Sequence, residues 1–242
     1  MASCRCLGGG YLLSVPETAL EIVGRVRDAV PAQLPVTLKM RRGIDDSAES
    51  EEKFFAIFDG AFERGVAAIT VHGRSVVQRY DGPSNWSFLA RVKQHAGGRT
   101  VLGSGDLFSP QACLAMLAQT GVDGLTVARG AIGNPWIFQQ TLALLSGANP
   151  ATLTPPCVHE QREVLTEHFR LAVDLHGEQL AGRSMRKFAI KYARLHPEPL
   201  TVRDAFIAAK TTADWQAALA RHYATDAPGR DPSEDIDETV EE

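Results

Sequence analysis

Four short apolar segments, each ending in a polar or glycine-bearing tip, constrain the fold of this chain more than any other feature. They are Pro35–Arg42, Ala68–Arg74, Thr100–Asp106 and Gly124–Gly130. Each apolar part is rich in Val, Ile, Leu and Thr, which predicts a β-strand buried on both faces. Helical patterns separate the segments, and such alternation predicts a parallel sheet with right-handed crossovers. We therefore expect an α/β fold with about four strands.

The helices of this α/β part are predicted over residues 17–30, 49–64, 85–96 and 109–120. Ser14 and Pro16 are start signals for the first helix, and Ser109 and Pro110 supply an N-cap and a first helical position for the last. A four-stranded set of this kind fits either an open doubly wound sheet or part of a barrel. The sequence pattern alone leaves both architectures open.

The pattern changes after the fourth segment, and it predicts four regions. Residues 1–145 form the α/β part, residues 146–156 a linker with three prolines, residues 157–224 a helical domain, and residues 225–242 a disordered acidic tail. The formal net charge is −4, but the tail holds eight acids against Arg230. Its local charge of −7 leaves +3 for residues 1–224, a mildly basic body that permits a polyanionic partner.

Composition places the chain among soluble globular proteins, with 44% apolar and 22% charged residues. No apolar run is long enough to cross a membrane, and the N-terminus lacks the apolar core of a signal peptide. The four cysteines form no CxxC pair, so we expect reduced thiols and no metal site. These features predict a cytoplasmic protein without a membrane partner.

The polar groups that follow the strands are the candidate functional residues. In β/α barrels the carboxyl ends of the strands carry the chemistry, so we expect these tips to converge. A lysine at a strand end is often only solvated, and a lone histidine is often structural. The concentration of cations nevertheless favours an anionic, phosphate-bearing ligand. The tips offer Lys39, Arg41, His72, Arg74, Asp106 and Arg129.

A basic stripe marks the helical domain. The clearest helix, over about residues 180–195, carries five cations and no acid lies between residues 179 and 197. The cations are Arg183, Arg186, Lys187, Lys191 and Arg194. Such a stripe is either a solvated face or an RNA-binding face, and both interpretations stay open here.

Several motifs resemble those of the tRNA-dihydrouridine synthases. They are Val36–Gly43, Val71–Arg74 with Gln78–Gly82 and Trp86, Gly103–Leu107, and Ala128–Phe138, joined in the helical part by Glu167-His168 and Arg186-Lys187 with Tyr192. The resemblance runs from about Gly9 to about Tyr223 with its spacing kept. It implies an FMN-dependent (β/α)8 TIM barrel followed by a small all-α domain, of which this chain holds the C-terminal half of the barrel.

The resemblance also implies residue roles. In that family NADPH reduces FMN, and the flavin then reduces a uridine of tRNA to dihydrouridine. The implied FMN contacts are Lys39, His72, Ser104, Gly105, Asp106, Ala128 and Arg129. The implied uridine and tRNA contacts are Arg41, Arg74 and Gln78, together with Arg183, Arg186, Lys187, Lys191 and Arg194 of the basic helix.

Two departures from the family pattern stand out. The family's glycine turn reads Gly-Asn-Gly-Asp, and here the Asn position is Ser104, which implies a weaker or water-mediated flavin contact. The family's general-acid cysteine falls before Met1 by spacing, so no catalytic residue is identified. Cys4 and Cys6 lie too close to Gly9 for that role and are interpreted as incidental thiols, while Cys113 is predicted to lie in the core.

These departures predict a half barrel with two open edges and an exposed apolar interior. We expect the isolated chain to be inactive, and a second chain that supplies the missing half is one way to complete it. Two other functions remain open on the sequence. One is a non-catalytic RNA-binding remnant, and the other is a different FMN-barrel oxidoreductase that acts on a small molecule.

Overall fold

The computed structural model describes residues 9–232, which form two compact units that divide between Ala128 and Arg129. The first unit alternates helices and strands in the order α1 Pro16–Ala29, β1 Thr37–Arg41, α2 Ala48–Glu63, β2 Ala68–His72, α3 Trp86–Ala96, β3 Thr100–Ser104, α4 Pro110–Thr120 and β4 Gly124–Leu125. The second unit is helical, with α5 Trp136–Leu145, α6 Val158–His176, α7 Glu178–Tyr192, α8 Pro199–Ala208 and α9 Thr212–His222. Short 3-10 helices cover Gly9–Ser14, Arg129–Ala131, Pro150–Thr152 and Ala193–Leu195.

The strands of the first unit form one parallel sheet in the order β1-β2-β3-β4. This is the α/β architecture that the sequence predicts, with sequential strands as neighbours. β4 is shorter than expected, because only Gly124 and Leu125 pair with β3. The rest of that predicted segment leaves the sheet and enters the 3-10 helix Arg129–Ala131.

One face of the sheet is packed beneath helices. Ile69, Val71 and Val101 are fully buried on this face. Gly103 lies on the same face, and a Cβ added there would lie 2.6 Å from the Met116 sulfur of α4. Glycine at this position lets the Met116 side chain of α4 pack directly on β3.

The opposite face corrects the prediction of an apolar interior. Since side chains alternate along a strand, the register groups its residues into rows. One row holds Lys39, Thr70 and Leu102, and the next, at the carboxyl end, holds Arg41, His72 and Ser104. The strands are thus not apolar on both faces, because this face, called the polar face below, presents charged and hydroxyl groups.

The N-terminal caps show which local signals were decisive. Ser109 caps α4 as predicted, since its side chain accepts a hydrogen bond from the Ala112 amide. Ser14 does not cap α1, because its hydroxyl donates to the Tyr11 carbonyl and Val15 occupies the N-cap position. The Pro16 ring instead starts α1 at its first helical position.

The second unit begins earlier than the predicted linker over residues 146–156. Its boundary lies at Arg129, and the segment from Gly133 to Trp136 contacts α7. Trp136 meets the Tyr192 ring edge-to-face at 6.3 Å. Gly133, with φ +76°, lies so close to Lys191 that an added Cβ would be 2.5 Å from its carbonyl carbon. The 146–156 segment therefore lies inside the helical unit.

An apolar core holds the second unit together. Trp215 of α9 stacks on Phe169 of α6 at 4.3 Å between ring centroids, and Phe206 of α8 lies 5.3 Å from Trp215. Met185 and Ala189 of α7 are buried in the same cluster. The unit thus has a core of its own, as a separately folding domain requires.

The chain after α9 does not leave the unit at once, although the sequence predicts disorder from residue 225. The Ala227 carbonyl accepts a hydrogen bond from the Val158 amide, and the Arg230 amide donates to the Leu195 carbonyl. Asp226 accepts from the His159 amide at the start of α6. Residues 226–230 are therefore packed against the helices, while the predicted tail after Pro232 lies outside the described residues.

His196 makes the stability of the second unit depend on pH. Its Nδ1 accepts from the Glu198 amide and its Nε2 lies 2.9 Å from the His222 carbonyl, which requires the neutral Nε2–H tautomer. Burial lowers the pKa of His196, although the His222 carbonyl and Glu198 oppose this. The unfolded chain therefore takes up the proton first, and stability is lost as the pH falls below about 6.5.

We expect the free energy of unfolding to decrease between pH 7 and pH 5, with a shallower decrease in His196→Gln. Chemical denaturation at each pH measures it. His176→Gln is the matched control, since His176 is exposed at the end of α6. Equal pH slopes for the two variants would contradict this assignment.

Candidate functional site

A cavity of about 690 Å³ lies along β1 in the first unit. Three cationic side chains line it, those of Lys39, Arg41 and Arg79. His72 and Tyr80 also line it, and its remaining walls come from residues of β1, α1, α2, the segment after β2 and the 3-10 helix before α1. A largely apolar cavity with a few convergent polar groups is the usual form of a small-molecule site.

His72 joins this cavity to the carboxyl end of β3. Its Nδ1 lies 3.1 Å from the Ser104 carbonyl, so Nδ1–H donates and Nε2 carries the lone pair. Burial lowers the pKa of His72, the hydrogen bond to the Ser104 carbonyl opposes this in part, and the nearby charges of Arg41, Arg74 and Lys39 lower it further. The imidazole is therefore neutral at pH 7 and acts as an acceptor through Nε2.

Arg41 and Gln78 fold the β2–α3 loop, residues 73–85. The Arg41 guanidinium donates to the carbonyls of Ser75 and Arg79 at 2.8 and 2.7 Å. The Gln78 amide donates to the carbonyls of Asp81 and Pro83. Both side chains, which the resemblance places at the substrate, thus donate to the loop backbone, Arg41 through Nη1 and Gln78 through Nε2.

Arg74 holds the same loop from the other side. Its side chain is 4% exposed and its Nη2 contacts both carboxylate oxygens of Asp106 at 2.7 and 2.9 Å. Nε and Nη2 also donate to the Gly82 carbonyl. Asp106 in turn accepts from the Ser84 amide at 2.6 Å. The ion pair therefore ties the loop to the turn that follows β3.

The turn after β3 is shaped for close contact with the loop. Gly105 has φ +121°, and an added Cβ would lie 2.3 Å from the Ser84 hydroxyl and 2.8 Å from Nδ1 of His72. Asp106 has φ +60°, a left-handed conformation that Asp tolerates better than most residues. Trp86 donates to the Gly105 carbonyl at 3.2 Å. Ser104 is 4% exposed at the end of β3.

The predicted phosphate contacts lie on both sides of the unit boundary. Ala128 is the last residue of the first unit, and Arg129 begins the 3-10 helix of the second. Lys39 and His72 lie together at the cavity. The structure therefore groups the predicted cofactor residues into a cavity pair, a turn after β3, and this boundary pair.

Arg79 and Tyr80 are candidate residues that the sequence reasoning did not single out. Both are exposed, both line the cavity, and Arg79 has a left-handed backbone with φ +53°. The Arg41 guanidinium lies 5.4 Å from the centre of the Tyr80 ring. The sequence signal that could have identified them was their position within the Gln78–Gly82 motif, because a tightly folded loop presents its intervening side chains outward.

The second unit carries the basic face of α7, defined here by Arg183, Arg186, Lys187, Lys191 and Arg194. Arg183, Arg186 and Lys187 are exposed, whereas Lys191 and Arg194 are half-buried. Met185 and Ala189 lie buried on the opposite side of the helix, which fixes the direction of the cations. Among residues 9–232, no carboxylate forms an ion pair with Arg183, Arg186, Lys187 or Lys191.

Two absences within residues 9–232 concern metal ions and membranes. No three His, Cys, Asp or Glu side chains in this part of the chain are grouped to hold a metal ion. Within the same range, each helix is too short or too polar to cross a bilayer. Cys113 is buried in α4 as predicted, and Cys4 and Cys6 lie outside the described residues.

The four-stranded parallel sheet is compatible with part of a β/α barrel, a fold class in which the carboxyl ends of the strands carry the chemistry. The profile of the Dihydrouridine synthase (Dus) family matches residues 2–227. The chain belongs to this family. The match covers both units and includes the residues at the cavity and the basic face of α7.

Individual relatives agree with this assignment. The chain is 34% identical over 200 residues to a probable tRNA-dihydrouridine synthase of Mycobacterium tuberculosis, covering 83% of this chain and 50% of that protein. It is 33% identical over 220 residues to tRNA-dihydrouridine synthase B of Xanthomonas axonopodis pv. citri, covering 91% and 64%. A probable tRNA-dihydrouridine synthase of Treponema pallidum is 35% identical over 192 residues, covering 77% and 55%. The chain thus matches between about half and two thirds of each of these relatives.

Proposed function

We propose that this chain provides FMN-binding and tRNA-binding parts of a tRNA-dihydrouridine synthase, which reduces uridine to dihydrouridine with NADPH. The observation that carries the proposal is the cavity lined by Lys39, Arg41, Arg79 and a neutral His72, in a chain of the dihydrouridine synthase family. Reduced FMN supplies the hydride in this chemistry, and the protein supplies binding, orientation and a proton.

The residues at the cavity fit a flavin in their chemistry. Lys39 brings a positive charge to a largely apolar space, which suits an anionic or electron-rich ring system. His72 presents Nε2 as an acceptor, which suits a ring N–H or a ribityl hydroxyl. We infer that these two residues contact FMN directly.

The turn after β3 has a different role from the one that the resemblance implies. The Asp106 carboxylate is already engaged by Arg74 and the Ser84 amide, and Ser104 orients His72 through its carbonyl. We infer that Ser104, Gly105 and Asp106 shape the cofactor site and that Ala128 and Arg129 bind its phosphate.

The proposed substrate contacts are assigned in the same way, from the hydrogen-bond partners of each side chain. Arg41, Arg74 and Gln78 act as positioning residues, because their donors fix the β2–α3 loop. The loop then presents Arg79 and Tyr80 at the cavity, where a cation and an aromatic ring suit an unstacked base. The basic face of α7 binds the phosphates of the tRNA.

We propose that these 242 residues alone do not complete the reaction. Of the described cysteines, Cys113 is buried in α4 and Cys157 precedes α6, and neither lines the cavity. The described sheet has four strands, so β1 has an unpaired edge beside the cavity. A proton donor and the wall along β1 would then come from further protein, either of the same polypeptide or of a partner chain.

An RNA-binding remnant is the second candidate function. The observation that favours it is the apolar core of the helical unit, which allows the basic face of α7 to work without a flavin site. Flavin content separates the two candidates, because only the synthase requires FMN.

The test combines flavin content, turnover and RNA affinity of the full chain. We expect Arg183→Gln/Arg186→Gln/Lys187→Gln to weaken tRNA binding at low salt by about 10-fold or more. The dependence of affinity on salt should fall by about 2 to 3 in log–log slope. The matched control is Arg162→Gln/Lys210→Gln/Arg221→Gln, which removes three exposed cations elsewhere in the same unit.

Three results would contradict parts of the proposal. Equal weakening of tRNA binding by both triple variants would show that the overall charge of the unit, and not the basic face of α7, determines the affinity. Turnover of uridine with NADPH by the purified chain would overturn the proposed incompleteness. Binding of tRNA with no FMN uptake, even when FMN is added in excess, would favour the RNA-binding remnant.

A further inference from the structure

A row of aromatic side chains lies along the junction of α6 and α7 in the second unit. His168 of α6 lies 4.9 Å from the Phe188 ring and 6.2 Å from the Tyr192 ring of α7, measured between ring centroids. Trp136 of α5 in turn lies 6.3 Å from Tyr192. Tyr192 is buried, whereas His168, Phe188 and Trp136 are half-buried. Three of the four rings thus reach the surface.

The imidazole of His168 has hydrogen-bonding groups that the protein does not use. Among residues 9–232, no group forms a hydrogen bond or an ion pair with this ring, and neither ring nitrogen is enclosed by protein. Burial lowers the pKa of His168, so the imidazole is neutral at pH 7. A neutral imidazole carries one N–H donor and one acceptor. Both are available to a ligand such as a nucleobase, whose edge carries donors and acceptors.

Cations border the Phe188 ring on its own helix. Lys191 lies one turn beyond Phe188, and Lys187 lies one turn before Lys191, so the three side chains share one side of α7. On α6, Glu167 is paired with Arg170 at 2.6 Å, which offsets its negative charge. An aromatic ring bordered by cations is the arrangement that binds a base by stacking and its phosphates by charge.

We propose that His168 and Phe188 form a binding site for one unpaired nucleotide of the RNA, with the base stacked on Phe188 and its edge hydrogen-bonded to His168. The inference rests on the proposed function of the basic face of α7 as the tRNA-binding surface. Lys187 and Lys191 then bind the flanking phosphates. The base has to be unpaired, since only loops and bulges expose the face of a base. The second unit thus prefers RNA with a loop or bulge over an uninterrupted duplex.

The first test replaces Phe188 with leucine in the full chain, which keeps an apolar side chain beside His168. We expect tRNA binding, measured by fluorescence anisotropy, to weaken by about 5-fold because the stacking contact is lost. The log–log dependence of affinity on salt should not change, since no phosphate contact is removed. Phe138→Leu is the matched control, because that ring is 50% exposed on α5 of the same unit. It should bind tRNA as the parent chain does.

The second test uses the parent chain and two RNA duplexes that differ only in a single bulged residue. One duplex carries a uridine in the bulge, and the other carries an abasic residue, which keeps the phosphate and removes the base. We expect the uridine bulge to bind about 5-fold more tightly. Phe188→Leu should abolish this preference, and His168→Phe, which keeps a ring but removes both nitrogens, should reduce it.

Two results would overturn the inference. One is equal affinity of the parent chain for the two bulged duplexes, a comparison that depends on no variant. The other is an equal effect of Phe188→Leu and Phe138→Leu on tRNA binding.

The proposed function fails in a distinguishable way. If Arg183→Gln/Arg186→Gln/Lys187→Gln binds tRNA as tightly as the parent chain, the basic face of α7 is not the RNA surface, and the nucleotide site falls with it. If that triple variant is weakened but Phe188→Leu is not, the RNA surface stands and only the nucleotide site is overturned.

Discussion

Replacing Arg74 with alanine should lower the free energy of opening of the first unit by about 3 kcal/mol. The change leaves the Asp106 carboxylate partly buried without its cation and removes both donors to the Gly82 carbonyl. The β2–α3 loop should then exchange its amide hydrogens faster, with the Ser84 amide as the direct reporter, because it donates to Asp106. Hydrogen exchange with mass spectrometry or NMR measures both effects.

A surface ion pair provides the control. Arg25 pairs with Glu21 one helical turn away in α1, and both side chains are more than half exposed. Arg25→Ala should therefore cost at most about 0.5 kcal/mol. If Arg74→Ala costs no more than Arg25→Ala, the loop does not depend on the buried pair, and the positioning role assigned to Arg74 is wrong. FMN affinity should fall in Arg74→Ala only.

The Gly133→Ala substitution is expected to destabilise the second unit by about 2 to 4 kcal/mol. Gly133 has φ +76°, which strains any residue with a Cβ. The added atom would also lie 2.5 Å from the carbonyl carbon of Lys191 and 2.6 Å from the Tyr192 nitrogen. Because these are backbone atoms of α7, no rotamer change relieves the clash.

Gly182→Ala is the opposite case within α7. No atom lies within 4 Å of the Cβ that it would add, and the residue lies inside a helix. Alanine there should stabilise the helix by up to about 1 kcal/mol. Hydrogen exchange of the α7 amides reports both variants in one measurement. A Gly133→Ala protein as stable as the parent would show that the turn before α5 is not packed on α7 as described.

Local patterns predicted most of the fold. The predicted helix over residues 109–120 corresponds to Pro110–Thr120, because Ser109 and Pro110 give a start signal that needs no tertiary contact. Segment Ala68–Arg74 contains the strand Ala68–His72. β4 was overestimated, since apolar periodicity does not show where pairing with a neighbour stops.

Long-range contacts were the part that the sequence could not reveal. The family resemblance implied that Arg74 faces the substrate. Its partner Asp106 lies 32 residues further along, and nothing local indicates the pairing. The unit boundary moved from the proline-rich linker to Arg129 for the same reason, since the contact of the segment from Gly133 to Trp136 with α7 joins distant segments.

The hydrogen bond between His72 and Ser104 determines which substitutions at position 104 the site can accept. The acceptor is the carbonyl of residue 104, which every amino acid carries. Replacement of the family's usual asparagine by serine therefore leaves the orientation and tautomer of His72 intact. A site whose histidine is aligned through the main chain can change the side chain at that position while conserving the ring geometry. Gly105 is under the opposite constraint, because any Cβ there would meet Nδ1 of the same imidazole at 2.8 Å.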